Sequence, residues 1–250
     1  MFHVIIPARY ESSRLPGKPL SMIGDKAMIL HVCDKAAKSS AASITVATDN
    51  ETICKLVRSS GYQAVMTDPS HPSGSDRVFQ AAELIGLNDD DVIVNVQGDE
   101  PFIPCENINL VASLINEQQA MSTLCCNIDK VEDVLNPNVV KVIKNKVNQA
   151  VYFSRSVIPY RRENPLSLES TIQKGEFFRH IGIYAYTKDF LSRFIQWPQS
   201  FLEKMESLEQ LRVLEQGEKI AIACLEQAPP SGVDTPEDLA NAQAYFLSIK

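Results

Sequence analysis

The loop after the first apolar run concentrates cations. Ala8-Arg9-Tyr10-Glu11-Ser12-Ser13-Arg14-Leu15-Pro16-Gly17-Lys18 carries Arg9, Arg14 and Lys18 within ten residues. Two guanidinium forks and a mobile ammonium, set among small residues with free backbone amides, suit a polyphosphate such as a nucleoside triphosphate. The plain alternative is a solvated loop whose cations pair with Glu11 and Asp25. The pattern is neither G-x-x-x-x-G-K-[ST] nor G-x-G-x-x-G. In Val96-Gln97-Gly98-Asp99-Glu100-Pro101, Asp99 stands beyond an apolar run and beside a glycine, a natural position for a magnesium ligand. A turn residue capping the next helix would look the same. Ser73-Gly74-Ser75-Asp76-Arg77 is a small-residue loop entering a helix, where Arg77 can reach a phosphate or a base and Asp76 reads as a cap. Asp234, in Gly232-Val233-Asp234-Thr235-Pro236, needs no function beside a capped helix unless a second carboxylate stands nearby. No Ser-His-Asp or Cys-His arrangement points to a covalent intermediate.

These residues need elements to hold them. Residues 2–8, 43–49, 63–67 and 91–97 read as strands, and 27–40, 51–61 and 77–86 as helices. Alternating strands and helices imply right-handed βαβ units and a mostly parallel sheet covered on both faces. Ligands of such sheets gather beyond the carboxyl ends of the strands, where the loop at 8–18 and Asp99 fall. In the second half, 138–145 and 149–156 form a hairpin, 160–176 an exposed excursion or arm, and 180–187 an alternating strand. A periodic helix is expected over 201–217, ending at Gly217, then a strand over 219–226. The last helix opens on Thr235-Pro236-Glu237-Asp238, a cap with Pro at the first helical position. By residue type alone, His180 and Tyr184 are packing residues of a strand, and Glu209 and Gln210 the wet face of a helix.

The 250 residues carry 24 Lys and Arg against 31 Asp and Glu, a net charge of −7, which argues against a general nucleic-acid or anionic-membrane binder. No run reaches the ~18 apolar residues of a membrane span, and the N-terminus lacks the basic start of a secretory signal. Six cysteines at 33, 54, 105, 125, 126 and 224 include no CxxC pair and read as buried reduced thiols, so a cytoplasmic protein is expected.

Taken in order, A-R-x-x-S-x-R-L-P-G-K, S-G-S-D-R, V-N-V-Q-G-D-E-P, R-H-I-G-I-Y-A-Y, L-E-Q-L-R and G-V-D-T-P-E-D-L closely resemble the CMP-Kdo synthetases, the 3-deoxy-manno-octulosonate cytidylyltransferases of Gram-negative lipopolysaccharide synthesis. The resemblance runs from Phe2 to about Asn241. It implies one nucleotidyltransferase domain of Rossmann-like, glycosyltransferase-A-like α/β fold, with a mostly parallel central sheet. A nucleotide-binding half is expected over about 1–130. A sugar-binding and dimerisation half, with a smaller sheet or arm, is expected over about 131–250. It also implies a cytoplasmic, Mg²⁺-dependent homodimer that uses CTP and Kdo. By position, Arg9, Arg14 and Lys18 match CTP-phosphate residues; Arg77, Gln97 and Gly98 match residues around the cytidine; Asp99 and Asp234 match metal ligands. His180, Tyr184, Glu209 and Gln210 match residues that hold the sugar, and Arg155 and Arg161 fall loosely on the sugar-carboxylate side. Thr187 stands where many relatives have Arg, a departure compatible with a branch that activates 8-amino-Kdo. A CMP-sialic acid synthetase and a catalytically dead nucleotide-binding regulator are the rival readings. Intact Lys18, Asp99 and Asp234 argue against the regulator.

Overall fold

The computed structural model describes residues 1–11, 14–163, 165–167 and 170–249. Ser12 and Ser13 of the cationic loop, and Asn164, Leu168 and Glu169 of the excursion, lie outside the described residues. From the N-terminus come β1 (Phe2–Ala8), a 3-10 turn (Lys18–Leu20) and a ribbon of β2 (Met22–Ile23) with β3 (Lys26–Ala27). These are followed by α1 (Met28–Ala36), β4 (Ser43–Thr48), α2 (Glu51–Ser59), β5 (Gln63–Met66), α3 (Gly74–Leu84) and β6 (Val92–Asn95). Then follow α4 (Cys105–Ser113), β7 (Met121–Asn127), α5 (Val131–Leu135), β8 (Lys141–Lys144), β9 (Ala150–Ser154) and β10 (Phe178–Thr187). The chain ends with α6 (Lys188–Gln196), α7 (Phe201–Glu206), α8 (Leu211–Glu215), β11 (Ala221–Leu225) and α9 (Pro236–Ser248).

The main sheet has the order β11-β7-β10-β6-β1-β4-β5. β6, β1, β4 and β5 run parallel, as do β11 and β7, while β10 lies antiparallel between β7 and β6. The unbroken apolar run of β1 follows from burial on both faces: Val4 and Ile6 pack with Ile29 and Val94, and Ile5 packs with Ala47 and Ile93 on the other side. The expected hairpin is β8–β9, which joins β10 through β8. β10 and β11 from the second half enclose β7 from the first, so the sheet interleaves the two.

Two elements differ from the sequence reading. The segment at 121–127, for which no strand was expected, is a fully integrated strand, β7. The single helix expected over 201–217 is broken into α7 and α8, with Ser207 in the left-handed region (φ 51°). The corner is closed by Arg212, whose Nε and Nη2 donate to the two carboxylate oxygens of Glu203 at 2.8 and 2.6 Å. Leu208 and Leu211 stay buried through the break, so helical periodicity continues across it in the sequence although the backbone does not.

Candidate active site

Beyond the carboxyl ends of β1 and β6 lies a cleft of about 750 Å³, lined by Arg9, Arg14, Lys18, Arg77, Gln97, Gly98, Asp99 and Asp234 among others. All eight residues expected for nucleotide or metal are therefore gathered in one place. The turn after β6 is drawn tight against β1: a Cβ on Gly98 would stand 2.8 Å from the carbonyl oxygen of Pro7, so only glycine fits. Residues 232–234 are laid along the same turn by a bond from Val233 N–H to the Asp99 carbonyl (2.8 Å). A Cβ on Gly232 would meet the Glu100 carboxylate at 2.9 Å. Thr235 then starts α9 with a capping box to Asp238, which fixes where Asp234 stands.

At the floor of the cleft Lys18 Nζ donates to Asp99 Oδ2 at 2.5 Å and to Asp234 Oδ1 at 2.9 Å, partners 81 and 216 residues away. Burial alone would lower the pKa of Lys18. The carboxylates, Asp99 foremost, more than offset it and raise the pKa above the usual value. Arg14, largely exposed, reaches the other oxygen of Asp234 at 3.2 Å. Behind Asp99, burial and then the Asp99 charge push Glu100 up to about 8. The oxygens of Asp99 and Asp234 thus converge on the space of one cation. Hard, charged oxygen donors of this kind fit a divalent ion that keeps waters and takes phosphate oxygens. Among the described residues there is no group of three or more His, Cys, Asp or Glu able to hold a metal ion.

Arg77 differs from its expected role as a free phosphate or base ligand. It is fully buried beneath the cleft. Its Nη2 donates to Asp49 Oδ2 (2.8 Å) and its Nη1 to the Thr67 hydroxyl, leaving Nε without a partner. Asp49 Oδ1 also accepts the Tyr10 N–H (3.2 Å), so this carboxylate ties α3 to the cationic loop. The sequence reading missed Asp49, yet it is an acid at a strand exit, the same signal that singled out Asp99. Gln97 Nε2 donates to Asn95 Oδ1 (3.2 Å), and Arg9 Nη2 donates to the Pro72 carbonyl (3.1 Å).

The residues expected for the sugar stand apart from this lining. His180 and Tyr184 neighbour each other on β10, with ring centroids 5.5 Å apart, and Phe153 meets His180 edge-on at 5.0 Å. Burial, with the nearby Arg179 charge, pushes His180 down to about 3, so the ring is neutral. Glu209 joins them to the nucleotide side: the Ser75 hydroxyl on the first turn of α3 donates to its Oε2 at 2.8 Å. Glu209 Oε1 and Gln210 Nε2, on consecutive residues, are buried without a hydrogen-bond partner, with Arg212 Nη2 3.8 Å from the Glu209 oxygen.

Three further residues named for the sugar side have partners outside the cleft lining. Arg155 is committed to its own surroundings, with Nε donating to the Glu206 carbonyl (2.7 Å) and Nη1 to that of Pro137 (3.1 Å). Arg161 is paired with Glu176 within the excursion. Thr187 pairs with Val92 at the start of β6, whereas Tyr184 pairs with Asn95 at its end, so Thr187 lies at the far end of β10 from the cleft. Its side chain caps α6, accepting the Phe190 N–H at 3.2 Å.

Residues 3–220 match the family model described as cytidylyltransferase. Over 99% of its length the chain is 50% identical to the 3-deoxy-manno-octulosonate cytidylyltransferase of Colwellia psychrerythraea, 93% of which is covered. The chain belongs to the 3-deoxy-manno-octulosonate cytidylyltransferase family. It is also 47% identical to the family member of Acinetobacter baumannii, over 96% of this chain and 95% of that one. A solved structure titled as CMP:2-keto-3-deoxy-manno-octonic acid synthetase complexed with CTP superposes with a TM-score of 0.90 at 36% identity, covering both chains fully. The Rossmann-like nucleotidyltransferase fold expected of this family is the fold observed. No helix among the described residues is long and apolar enough to cross a membrane.

Proposed function

We propose that the protein transfers the cytidylyl group of CTP to 3-deoxy-manno-octulosonate, forming CMP-Kdo and pyrophosphate for lipopolysaccharide synthesis. One observation carries the reading: Lys18 is clamped by Asp99 and Asp234 at the floor of a cleft whose walls bear Arg9 and Arg14, with Arg77 buried beneath them. The anomeric hydroxyl of the sugar attacks the α-phosphorus, and pyrophosphate leaves. Both substrates are anions in an acidic protein, so local charge neutralisation and alignment dominate catalysis. Arg9 and Arg14 bind phosphate oxygens. Lys18, released from its carboxylates, brings a mobile cation to the reacting phosphates as charge develops. Arg77, locked by Asp49 and Thr67, keeps the first turn of α3 in place beside the cytidine, with Gln97 and Gly98 opposite. Mg²⁺, held by Asp99 and Asp234, would neutralise phosphate charge and lower the pKa of the attacking hydroxyl, so no dedicated side-chain base is needed.

His180, Tyr184, Glu209 and Gln210 take the sugar hydroxyls, the unpartnered atoms of Glu209 and Gln210 supplying the clearest support. With Thr187 remote from the cleft, no observation favours the 8-amino sugar. We further infer a cytoplasmic homodimer joined through the 150–185 stretch, where Val151 and Tyr160 are exposed apolar side chains. Product formation with Kdo and its 8-amino analogue, each paired with CTP, UTP and ATP, tests the reading. CMP-Kdo with CTP alone is expected, and no pyrophosphate release with any pair would refute it.

A further inference from the structure

Six cysteines are free thiols, but they are not alike. Cys33, Cys54, Cys125 and Cys126 are buried and Cys105 is partly covered, whereas Cys224 is exposed. Cys224 lies on β11, an end strand of the main sheet, directly opposite Cys125 on the parallel neighbour β7. The two side chains share a face. Ile222, two residues before Cys224, packs in the same cluster as Cys125, while Cys126 and Leu225 belong to the cluster on the other side. After burial, the Cys224 thiol is the group that most raises the pKa of the Cys125 thiol, and Cys224 Sγ itself donates to the Leu225 carbonyl at 3.6 Å. Adjacent strands stand about 4.8 Å apart, inside the window of roughly 4.4–6.8 Å that a disulfide requires between Cα atoms. The same row continues on the far side of β7, where His180 of β10 is the residue paired with Cys125.

We propose that Cys224 and Cys125 form a dithiol that a low-molecular-mass disulfide closes into a reversible cross-strand bridge, altering the packing beside His180. The Cys224 thiolate attacks one sulfur of oxidised glutathione, and one glutathione leaves as a thiolate that takes up a proton. Cys125 then gives up its proton and attacks the Cys224 sulfur of the mixed disulfide, releasing the second glutathione. Two protein thiols are oxidised and one small disulfide is reduced to two thiols. Exposure makes Cys224 the residue that meets the oxidant; burial raises the pKa of the Cys125 thiol, so its place directly opposite Cys224, not its burial, is what makes it the resolving thiol. Cys126, facing the opposite side of β7, cannot compete.

Incubation of the whole protein with oxidised glutathione, followed by alkylation and peptide mass mapping, is the test. The expected product has lost two hydrogens, joins the Cys125 and Cys224 peptides, and returns to free thiols with dithiothreitol. Cys224→Ser, a surface change that leaves the core intact, should form no bridge. A stable glutathione adduct on Cys224, an unmodified Cys224, or a bridge between other cysteines would overturn the assignment. The effect on His180 rests on the proposed function: the bridged enzyme should show a KM for the sugar acid raised at least threefold, with the KM for CTP unchanged. A fully bridged enzyme with unchanged sugar KM would overturn the link to His180. The mass readout needs no turnover, so an inactive protein would count against the proposed function and not against the bridge.

Discussion

Lys18 occupies the space between two carboxylates, so its removal acts in two directions. Without the ammonium, Asp99 and Asp234 repel each other and attract a divalent ion more strongly, while the phosphates lose a cation as charge develops. Lys18→Ala is therefore expected to bind Mg²⁺ several-fold more tightly in calorimetry without nucleotide. Its kcat should fall about 10²–10³-fold, with the KM for CTP changed by less than about threefold. A variant whose only defect is a raised KM for CTP would show that Lys18 serves ground-state binding alone. Gln210 carries the sugar side of the account. Gln210→Ala should cost roughly 1–3 kcal/mol in kcat/KM for the sugar, the usual loss for an unpaired buried partner. CTP affinity, measured by calorimetry, should stay as it was, and a loss shared equally by CTP would remove Gln210 from the sugar pocket. Arg9, Arg14, Lys18 and Asp99 left a pattern in the sequence, cations in a loop and an acid beyond a strand end, whereas Asp234, directly before a capped helix, was marked only by the family resemblance. The burial of Arg77 was not, because its partners Asp49 and Thr67 come from another strand and loop.

At the scale of elements, Thr187 changes from a candidate selectivity residue to a helix cap. Thr187→Ala should lower stability by about 1 kcal/mol, read from denaturant unfolding, and leave the preference between Kdo and its 8-amino form untouched. A shift in that preference would contradict the placement of Thr187 at the far end of β10. The alternating run at 180–187 was enough to expect the strand. Its antiparallel place between β7 and β6 was not readable, since pairing partners 51 and more residues away leave no local trace. β7 escaped for a related reason: Met121–Asn127 is buried on both faces except at its end, so it lacks the alternation that marks a half-buried strand. The break at Ser207 was hidden because Leu208 and Leu211 keep the helical spacing of apolar residues across it.

At the scale of the whole molecule, folding keeps His180 neutral between Phe153 and Tyr184, and that has a cost in acid. Its folded pKa, near 3, lies below the unfolded value near 6.5, so the unfolded chain takes up a proton first as pH falls. Stability from this group is therefore complete above about 6.5 and lost progressively down to about 3. Between pH 6.5 and 4.5 the wild type should lose about 2 kcal/mol more than His180→Gln, as read from urea midpoints. Equal losses would show that the ring titrates normally in the folded protein. The cleft itself exists only because the chain returns: Asp234 reaches Lys18 and Asp99 after the sheet has been crossed from one edge to the other. That convergence is the central claim, and Mg²⁺-dependent pyrophosphate release from CTP and Kdo tests it most directly in wild type, Asp99→Asn and Asp234→Asn. Each substitution keeps the shape and removes one charge from the floor of the cleft. Both variants are expected to remain folded and to lose roughly 10²–10³-fold or more in turnover at millimolar Mg²⁺. Near-normal turnover in either one would show that the two carboxylates do not form the reaction centre.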